Sequence, residues 1–489
     1  MGHDIVYRDA TVYDGTGSPG SVADVAVDGD RIAEIGSVRG GAEREVDATG
    51  LALAPGFIDV HTHDDFAAML HPDMAFKSIG GVTTCVVGNC GMGAAPRDTA
   101  WKQGESFHPG ASPPHYDGFA GYFSILDAQP PGVNVVALAG HGTIRLDTMG
   151  TESSAPTSRQ MSAMRATLAE AVEAGVVGMS TGLVYEPGRH ATTEELIELT
   201  GELTGTGCLY ATHMRDEGVG LLDSVAEALA IGRAADVPVQ ISHHKANGRT
   251  AWGLVQRSLA LIDEARADGQ VVHADQYPYT AGSTILSAVI GWLEPGTGLG
   301  SADLVIASCP EHPVWEGRSI DDIAVELDRD PHAAAAVVLA EEPNTTVVIH
   351  SMNEDDVQTV MAHPSTMIGS DGLPTLDSKP HPRLSNTFAR VLGHYSRELA
   401  VFEMAEAVHR MTGMSAEAFG LVDRGAVREG AFADLVLFDE AVIVDRATYA
   451  DPLRMPMGIS EVVVNGTAVA QGGTHSGARP GRALRRSAP

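Results

Sequence analysis

The stretch Phe57-Ile58-Asp59-Val60-His61-Thr62-His63 decides the fold and points to its chemistry. It is a short apolar run that ends in two histidines separated by one residue. Side chains on a β-strand alternate between its two faces, so His61 and His63 share one face. A near-continuous apolar run is typical of a strand that is buried on both sides in a parallel sheet. We therefore expect two neighbouring imidazoles at the end of a buried strand.

Seven further apolar runs follow, and Ala-rich helical segments such as 158–174 and 220–235 lie between them. Strand–helix alternation implies a parallel sheet, and eight strands suggest closure into a (β/α)8 TIM-like barrel of the α/β class. A ninth candidate at 345–350 is placed in a small insertion, or lid, that spans about residues 281–345. The eight runs are 57–63, 83–90, 134–141, 176–183, 208–213, 237–243, 271–279 and 367–371.

The two ends of the chain carry short alternating segments instead. Asn465-Gly466 is a hairpin signal near the C-terminus, and Asp14-Gly15 and Gly29-Asp30 are turn signals near the N-terminus. We expect residues 1–55 and 415–475 to form one β-sandwich, residues 56–414 to form the barrel, and residues 476–489 to be a loose tail. The strand candidates are 4–8, 11–13, 23–27, 31–35, 434–438 and 461–464.

Composition excludes several classes of partner. The 489 residues carry a net charge of −32, and such a field repels nucleic acid and anionic membranes. No run of 18 apolar residues is present and no secretory signal is recognised, so we expect a cytoplasmic protein. The four cysteines are expected to be reduced rather than paired in a disulfide framework.

Most of the eight runs end in residue types that bind metals. One such histidine is commonly a structural hydrogen-bonding residue, a lone buried cysteine is commonly a small apolar residue, and an aspartate in Gly-Ser-Asp-Gly commonly forms a turn. Six candidate ligands at five strand ends favour a metal site, because the carboxyl ends of barrel strands meet on one rim. The candidate ligands are His61, His63, Cys90, His213, His243 and Asp371.

This mixture of donors suits a hydrolytic zinc site. Neutral imidazole and thiolate are zinc ligands, and a catalytic zinc keeps one position open for water. Bound zinc lowers the pKa of that water from 15.7 to roughly 7. A nearby carboxylate can then accept the proton and return it to a leaving nitrogen.

Several motifs resemble one protein family. The stretch 55–63 resembles the opening signature of the amidohydrolase superfamily, and 430–436 resembles its closing signature. One branch, the N-acyl-D-amino-acid deacylases, is suggested by Gly88-Asn89-Cys90-Gly91 and its companions. The resemblance extends from about Ile5 to Val469. The companion motifs lie at 95–96, 140–145, 180–185, 212–217, 242–245, 275–279, 369–372 and 381–383.

The resemblance implies roles for the six candidate ligands. One tightly bound zinc would be held by Cys90, His213 and His243. A second, weaker metal position would use His61 and His63, share Cys90 and involve Asp371. Asp371 would be the general acid/base, and Cys90 would take the bridging place that a carboxylated lysine has elsewhere.

The same resemblance implies a carboxylate-binding set. Lys245, Arg383 and either Tyr277 or Tyr279 would hold the α-carboxylate of the substrate. The two tyrosines lie on one face of the predicted strand, and the sequence does not choose between them. His244 is expected behind the ligands. The resemblance assigns no role to His141, Arg145, Ser180 and Tyr185.

Two stretches depart from the pattern of the family. Residues 290–296 in the predicted lid differ from the usual proline-rich stretch, which leaves the side-chain preference open. Ser385-Asn386-Thr387-Phe388 replaces an aromatic-glycine pattern after Arg383, which weakens the assignment of this arginine.

We predict zinc-dependent hydrolysis of the amide bond of a small-molecule N-acyl-D-amino acid, which yields a carboxylate and a free D-amino acid. One alternative is a cyclic amide or imide hydrolase similar to dihydroorotase or hydantoinase, which would use a metal-bridging lysine. The other is a catalytically inactive metal-binding homologue. The oligomeric state is left open.

Overall fold

The barrel is formed by all eight predicted runs, and the third is interrupted at Leu138. The computed structural model describes residues 2–293 and 296–486, and the strands run parallel around the barrel. A bridge between Thr62 and Gly372 joins the first strand to the turn after the last. The barrel strands are β6 (Phe57–Asp59), β7 (Val82–Val87), β8 (Asn134–Ala137) with β9 (Ala139–Gly140), β10 (Gly178–Gly182), β11 (Leu209–His213), β12 (Val239–Ile241), β13 (Val272–Gln276) and β17 (Thr366–Ile368).

Strand alternation divides the buried side chains of the barrel into two cores. Val86 of β7 packs with Ile58, Val136, Leu209 and Met367 in one apolar cluster. Its strand neighbours on either side belong to the much larger cluster that the helices cover. Because successive side chains of a strand point to opposite faces, the first cluster fills the barrel and the second joins its outer face to the helices.

Helices connect the strands and cover the barrel. The helix at Ser158–Ala174 agrees with its prediction because Thr157 and Gln160 form a capping box and Gly175, at φ +105°, ends it. The helices are α1 (Ala67–Leu70), α2 (Ala75–Ser78), α3 (Arg97–Gly104), α4 (Gly118–Ala128), α5 (His141–Met149), α6 (Ser158–Ala174), α7 (Thr193–Thr200), α8 (Leu221–Ala235), α9 (Val255–Ala267), α10 (Leu286–Val289), α11 (Ile320–Leu327), α12 (Pro331–Glu341), α13 (Glu354–Ala362), α14 (Arg383–Arg390, continued by a π-helix at Val391–Glu398), α15 (Met404–Met411) and α16 (Gly413–Ala418).

The two ends of the chain share one nine-stranded sheet, which forms the β-sandwich. Antiparallel pairing of β5 (Ala52–Pro55) with β18 (Leu435–Phe438) joins the N-terminal strands to the C-terminal ones. The segments predicted at 4–8 and 11–13 form one strand with a bulge after Tyr7. The exact borders at residues 55 and 415 stay predictions. The strands are β1 (His3–Val12), β2 (Ser21–Asp28), β3 (Arg31–Gly36), β4 (Ala42–Asp47), β5 (Ala52–Pro55), β18 (Leu435–Phe438), β19 (Ile459–Val464), β20 (Thr467–Gln471) and β21 (Thr474–His475).

The insertion is a small unit with its own sheet and core. Its antiparallel strands are β14 (Gly282–Ile285), β15 (Leu304–Ser308) and β16 (Thr346–Ile349), and α11 and α12 pack on them. The ninth candidate strand therefore belongs to this unit, whose end lies a few residues beyond the predicted 345. In the atypical stretch 290–296, Ile290–Leu293 forms a 3-10 turn, whereas Glu294 and Pro295 lie outside the described residues.

The tail differs from its prediction. Residues Ala483–Leu484 form β22, which pairs in parallel with β8 of the barrel. The Arg486 N–H also donates a hydrogen bond of 2.8 Å to the Gly175 carbonyl. The loose tail predicted for 476–489 is therefore wrong for 483–486, and residues 487–489 lie outside the described part of the chain.

Two further findings concern the predicted class of protein. Cys85, Cys90, Cys208 and Cys309 are buried free thiols, as expected for reduced cysteines. Within residues 2–293 and 296–486, no helix combines the length and the apolar character that a membrane crossing requires.

Deleting residues 477–489 should lower the Tm by at least about 2 °C, because the exposed edge of β8 loses its partner strand. Differential scanning calorimetry provides the measurement. Deletion of residues 487–489 alone is the matched control, since it leaves β22 in place. Equal Tm values for the two truncated proteins would show that β22 does not stabilise the barrel.

Candidate metal centre

The predicted ligands meet at the carboxyl ends of the barrel strands. His61 and His63 follow β6, Cys90 follows β7, His213 ends β11, and His243 follows β12. All are buried, as is Asp371 in the turn after β17. The parallel strands place these residues on one rim, although they are distant from each other in sequence.

Cys90 lies at the centre of the cluster. Its Sγ is 3.3 Å from His61 Nε2, 3.6 Å from His213 Nδ1 and 3.4 Å from His243 Nε2. Ligands bound at 2.0–2.3 Å around a tetrahedral ion lie about 3.3–3.8 Å apart, so this spacing fits shared coordination. Two sets of donor atoms within 4.8 Å of one another share Cys90: His61, His63, Cys90 and Asp371, and Cys90, His213 and His243.

Asp371 faces the histidines on one side and a guanidinium on the other. Its Oδ1 lies 3.1 Å from His63 Nε2 and 3.4 Å from His61 Nε2, and its Oδ2 lies 2.9 Å from Arg383 Nη1. Asp371 also has a left-handed backbone, with φ +52°, as do Cys90 at +54° and His243 at +34°. Such conformations are unfavourable for residues other than glycine and are often found at functional sites.

Electrostatics favour the charged forms of the thiol and the carboxyl group. Burial raises the pKa of Cys90, but His61 and His243 outweigh it and hold this pKa well below its ordinary value. Burial likewise raises the pKa of Asp371, but Arg383 and His61 hold it well below its usual range. A thiolate can bind a metal, and an ionised carboxylate can accept a proton.

Two carboxylates that our sequence analysis did not identify support the histidines. Asp275 Oδ1 lies 3.2 Å from His61 Nδ1, and it accepts a hydrogen bond of 2.9 Å from the His243 backbone N–H. Glu217 Oε1 lies 2.9 Å from His243 Nδ1. Both carboxylates lie within motifs that carry the resemblance, and an acid four residues after His213 was a usable signal.

These contacts indicate roles for the imidazole nitrogens of His61 and His243. A histidine that uses Nε2 as a ligand carries its proton on Nδ1 and donates it to a carboxylate. Asp275 is placed to accept this proton from His61, and Glu217 is placed to accept it from His243. The histidine orientation thus fits metal binding through the atoms that face Cys90.

A set of cations and one tyrosine lies beside the cluster. Arg383 is fully buried, and its guanidinium carbon lies 4.4 Å from the centre of the Tyr277 ring. Lys245 Nζ lies 6.0 Å from the same ring and 2.6 Å from Glu217 Oε1. Burial lowers the pKa of Lys245, but Glu217 outweighs it and raises this pKa, so the ammonium stays charged.

The two tyrosines differ, contrary to the expectation of a shared strand face. The strand β13 ends at Gln276, and a hydrogen bond from Tyr279 N–H to the Tyr277 carbonyl breaks the alternation. Tyr277 lines the cavity at the cluster, whereas Tyr279 packs under Arg390, 4.9 Å from its guanidinium carbon.

The remaining motif residues lie around the metal-ligand sets without belonging to them. His244 contacts Ser258 of α9 and lies apart from the metal-binding clusters. His141 and Arg145 share the carboxylate of Glu195, and Ser180 accepts a hydrogen bond from Gly91 N–H. The Tyr185 ring lies 5.0 Å from the His213 ring and lines the cavity. The stretch 385–388 lies within α14, whose first residue is Arg383.

Comparisons with known proteins identify the family of this chain. The model of the amidohydrolase family matches residues 44–283 and 311–470. A D-aminoacylase of Alcaligenes xylosoxydans xylosoxydans is 42% identical and covers 99% of this chain and 98% of its own. An N-acyl-D-glutamate deacylase of the same organism is 40% identical, over 99% of this chain and 97% of its own.

A solved structure is similar at the level of the whole fold. The N-acyl-D-glutamate deacylase from Bordetella bronchiseptica was solved with zinc and a phosphonate inhibitor that mimics the tetrahedral intermediate of its reaction. It is 39% identical, has a TM-score of 0.90 and covers 99% of this chain and 100% of its own. The chain belongs to the amidohydrolase family, in the branch of the N-acyl-D-amino-acid deacylases.

Proposed function

We propose that this chain is a zinc-dependent deacylase that hydrolyses N-acyl-D-amino acids to a carboxylate and a free D-amino acid. The observation that carries the proposal is the convergence of a thiolate, four imidazoles and a carboxylate beside a buried lysine and arginine. The names of the two deacylases at 40–42% identity support the same substrate class. A cytoplasmic location, and the absence of nucleic-acid and membrane partners, stay predictions.

Cys90, His213 and His243 would hold the tightly bound zinc. His61, His63 and Asp371 would form a second position that shares the Cys90 sulfur. The donor chemistry fits zinc because thiolate and imidazole are its usual ligands. When bound, the ion would supply a Lewis acid for the acyl carbonyl and make a water molecule acidic enough to attack it.

Asp371 would move the proton. Its ionised carboxylate faces the metal cluster and is held by Arg383, so it can accept a proton from the attacking water. It can then deliver that proton to the amide nitrogen, which leaves as an amine. Removal of the acid/base group should therefore affect turnover more than binding.

Lys245, Tyr277 and Arg383 would bind the α-carboxylate and thereby select the D configuration. The Tyr277 hydroxyl and the Arg383 Nε are buried atoms without a hydrogen-bond partner among the described residues, so a ligand carboxylate would satisfy them. Tyr279, proposed from sequence as the alternative, is better assigned to packing because its ring lies under Arg390, 4.9 Å from the guanidinium carbon.

The alternatives are less consistent with the site. A cyclic amide hydrolase of the dihydroorotase type would use a bridging lysine, whereas Cys90 is central here. Lys245 contacts Glu217 and Lys77 contacts Asp59, so both ammonium groups are paired. An inactive homologue would have no need to retain Asp371 together with every candidate ligand.

Asp371→Asn should lower kcat by about 10²–10⁴-fold because the acid/base group is lost. Amine release measures the change.

An assay of N-acetyl-D-methionine, N-acetyl-L-methionine, hydantoin and dihydroorotate should show turnover of the D-acyl substrate alone. Amine release and ring opening provide the measurements. Preference for the L substrate or for the cyclic substrates would contradict the proposal, and bound zinc without any turnover would favour the inactive homologue.

Glu217→Gln should weaken zinc binding by about 10–100-fold, since the carboxylate orients a ligating histidine. Competition with a chelator of known affinity measures the change. Glu227→Gln is the matched control, because Glu227 pairs with Arg215 outside the candidate metal sets. Equal zinc affinity in both variants would show that Glu217 does not support zinc binding.

The wall of the cavity that would face the side chain of the substrate favours neutral D-amino acids. Val289, Trp292 and Ile349 of the insertion line it, and Lys245 is the one lysine or arginine among its described lining residues. Residues 281–345 carry two arginines, no lysine and eleven acidic residues. An acidic substrate side chain would therefore lose its hydration without gaining a cation.

We expect kcat/KM for N-acetyl-D-methionine to exceed that for N-acetyl-D-glutamate by about 10²-fold or more. Thr284→Lys, which adds a cation to the wall, should narrow this ratio, and Thr284→Met controls for size. A wild-type preference for the glutamate substrate would show that the wall does not select neutral side chains.

A further inference from the structure

A buried lysine lies directly beneath the turn that carries Asp371. Lys77, on the short helix α2, is 1% exposed. Its Nζ donates hydrogen bonds of 2.9 Å to Asp59 Oδ2 and 2.9 Å to Ser370 Oγ, and it lies 3.3 Å from Asp64 Oδ2. A buried ammonium with this many specific contacts joins three parts of the chain: α2, the end of β6 and the turn after β17.

The Asp59 carboxylate contacts the backbone on both sides of the junction between the first barrel strand and the turn after the last one. Its Oδ1 accepts a hydrogen bond of 2.7 Å from the Ser370 N–H and one of 3.4 Å from the His61 N–H. One carboxylate therefore fixes the position of a candidate ligand and of the residue before Asp371. Lys77 in turn orients this carboxylate through its other oxygen.

Ser370 links Lys77 to the turn that carries Asp371. Its hydroxyl accepts from Lys77 and also accepts a hydrogen bond of 3.1 Å from the Gly372 N–H. Asp371 lies between these two residues at φ +52°, a conformation that needs support from its surroundings. The turn is thus held on both sides of Asp371 by contacts that lead to one ammonium group.

We propose that Lys77 is a positioning residue that, through Asp59 and Ser370, holds the Asp371 carboxylate at the metal centre. The inference rests on the proposed function for what Asp371 does there. Lys77 does not line the described wall of the cavity, so it would act through other residues. A lysine that only stabilised the fold would leave kcat unchanged in variants that remain folded.

Three variants test the proposal in the zinc-loaded enzyme. Ser370→Ala removes the direct hydrogen bond between Lys77 and the turn, Lys77→Met removes the charge, and Lys77→Arg retains it. Arg410→Met is the matched control. Arg410 is a buried cation, 3% exposed, that donates to the carbonyls of Met361, His363 and Thr366 near the opposite end of β17.

We expect Ser370→Ala and Lys77→Met to lower kcat by about 10–10²-fold, because a misplacement of about 1 Å has effects of this size. KM for N-acetyl-D-methionine should change by no more than about threefold, since the lost contact acts on the transition state. Lys77→Arg should recover part of the kcat. Arg410→Met should lower Tm and leave kcat nearly unchanged.

Crystal structures of the zinc-loaded wild type, Ser370→Ala and Lys77→Met give a readout that does not depend on turnover. Asp371 should move away from His63, while Cys90, His213 and His243 stay in place. An unmoved Asp371, or equal kcat losses in the Arg410 control, would overturn the inference. If the wild type hydrolysed no N-acyl-D-amino acid, the proposed function would fail, and the structural comparison would still decide the role of Lys77. Ser370→Ala keeps the test valid if Lys77→Met does not fold.

Discussion

The seam between the first barrel strand and the turn after the last one is the contact on which the rest of the structure depends. Here Asp371 N–H donates to the His61 carbonyl at 2.7 Å, and His63 N–H donates to the Gly372 carbonyl at 3.4 Å. Without this closure, two strand edges with unpaired backbone groups would lie in the interior of the protein. Closing the barrel also places the two histidines beside Asp371. The same hydrogen bonds therefore complete the fold and assemble the site.

The buried charges of the metal-ligand cluster are tolerated because negatively and positively charged groups alternate from Cys90 outward. Cys90 lies among imidazoles, the imidazoles contact Asp275 and Glu217, and Glu217 contacts Lys245. A buried ion is costly unless it is paired and hydrogen-bonded, and this arrangement gives each one a partner. Asp275 and Glu217 also orient the rings of His61 and His243 so that Nε2 of each faces the sulfur.

The barrel and the insertion contribute different properties to the cavity. The strand ends supply the groups that can do chemistry, and the insertion supplies the apolar lining residues Val289, Trp292 and Ile349. The insertion has its own apolar core, so its loops can differ between relatives without disturbing the barrel. This separation is consistent with one metal centre serving different side-chain preferences within a family.

The sequence by itself determined the eight barrel strands and the six candidate ligands. Buried parallel strands are continuous apolar runs, and their carboxyl ends must converge once the barrel closes. Only the tertiary structure separated Tyr277 from Tyr279, because the alternation ends with β13 at Gln276. Only it paired β22 with β8 and placed Glu217 and Asp275 behind the histidines. Local patterns record which face of an element is buried, whereas contacts between distant segments depend on how those elements pack together.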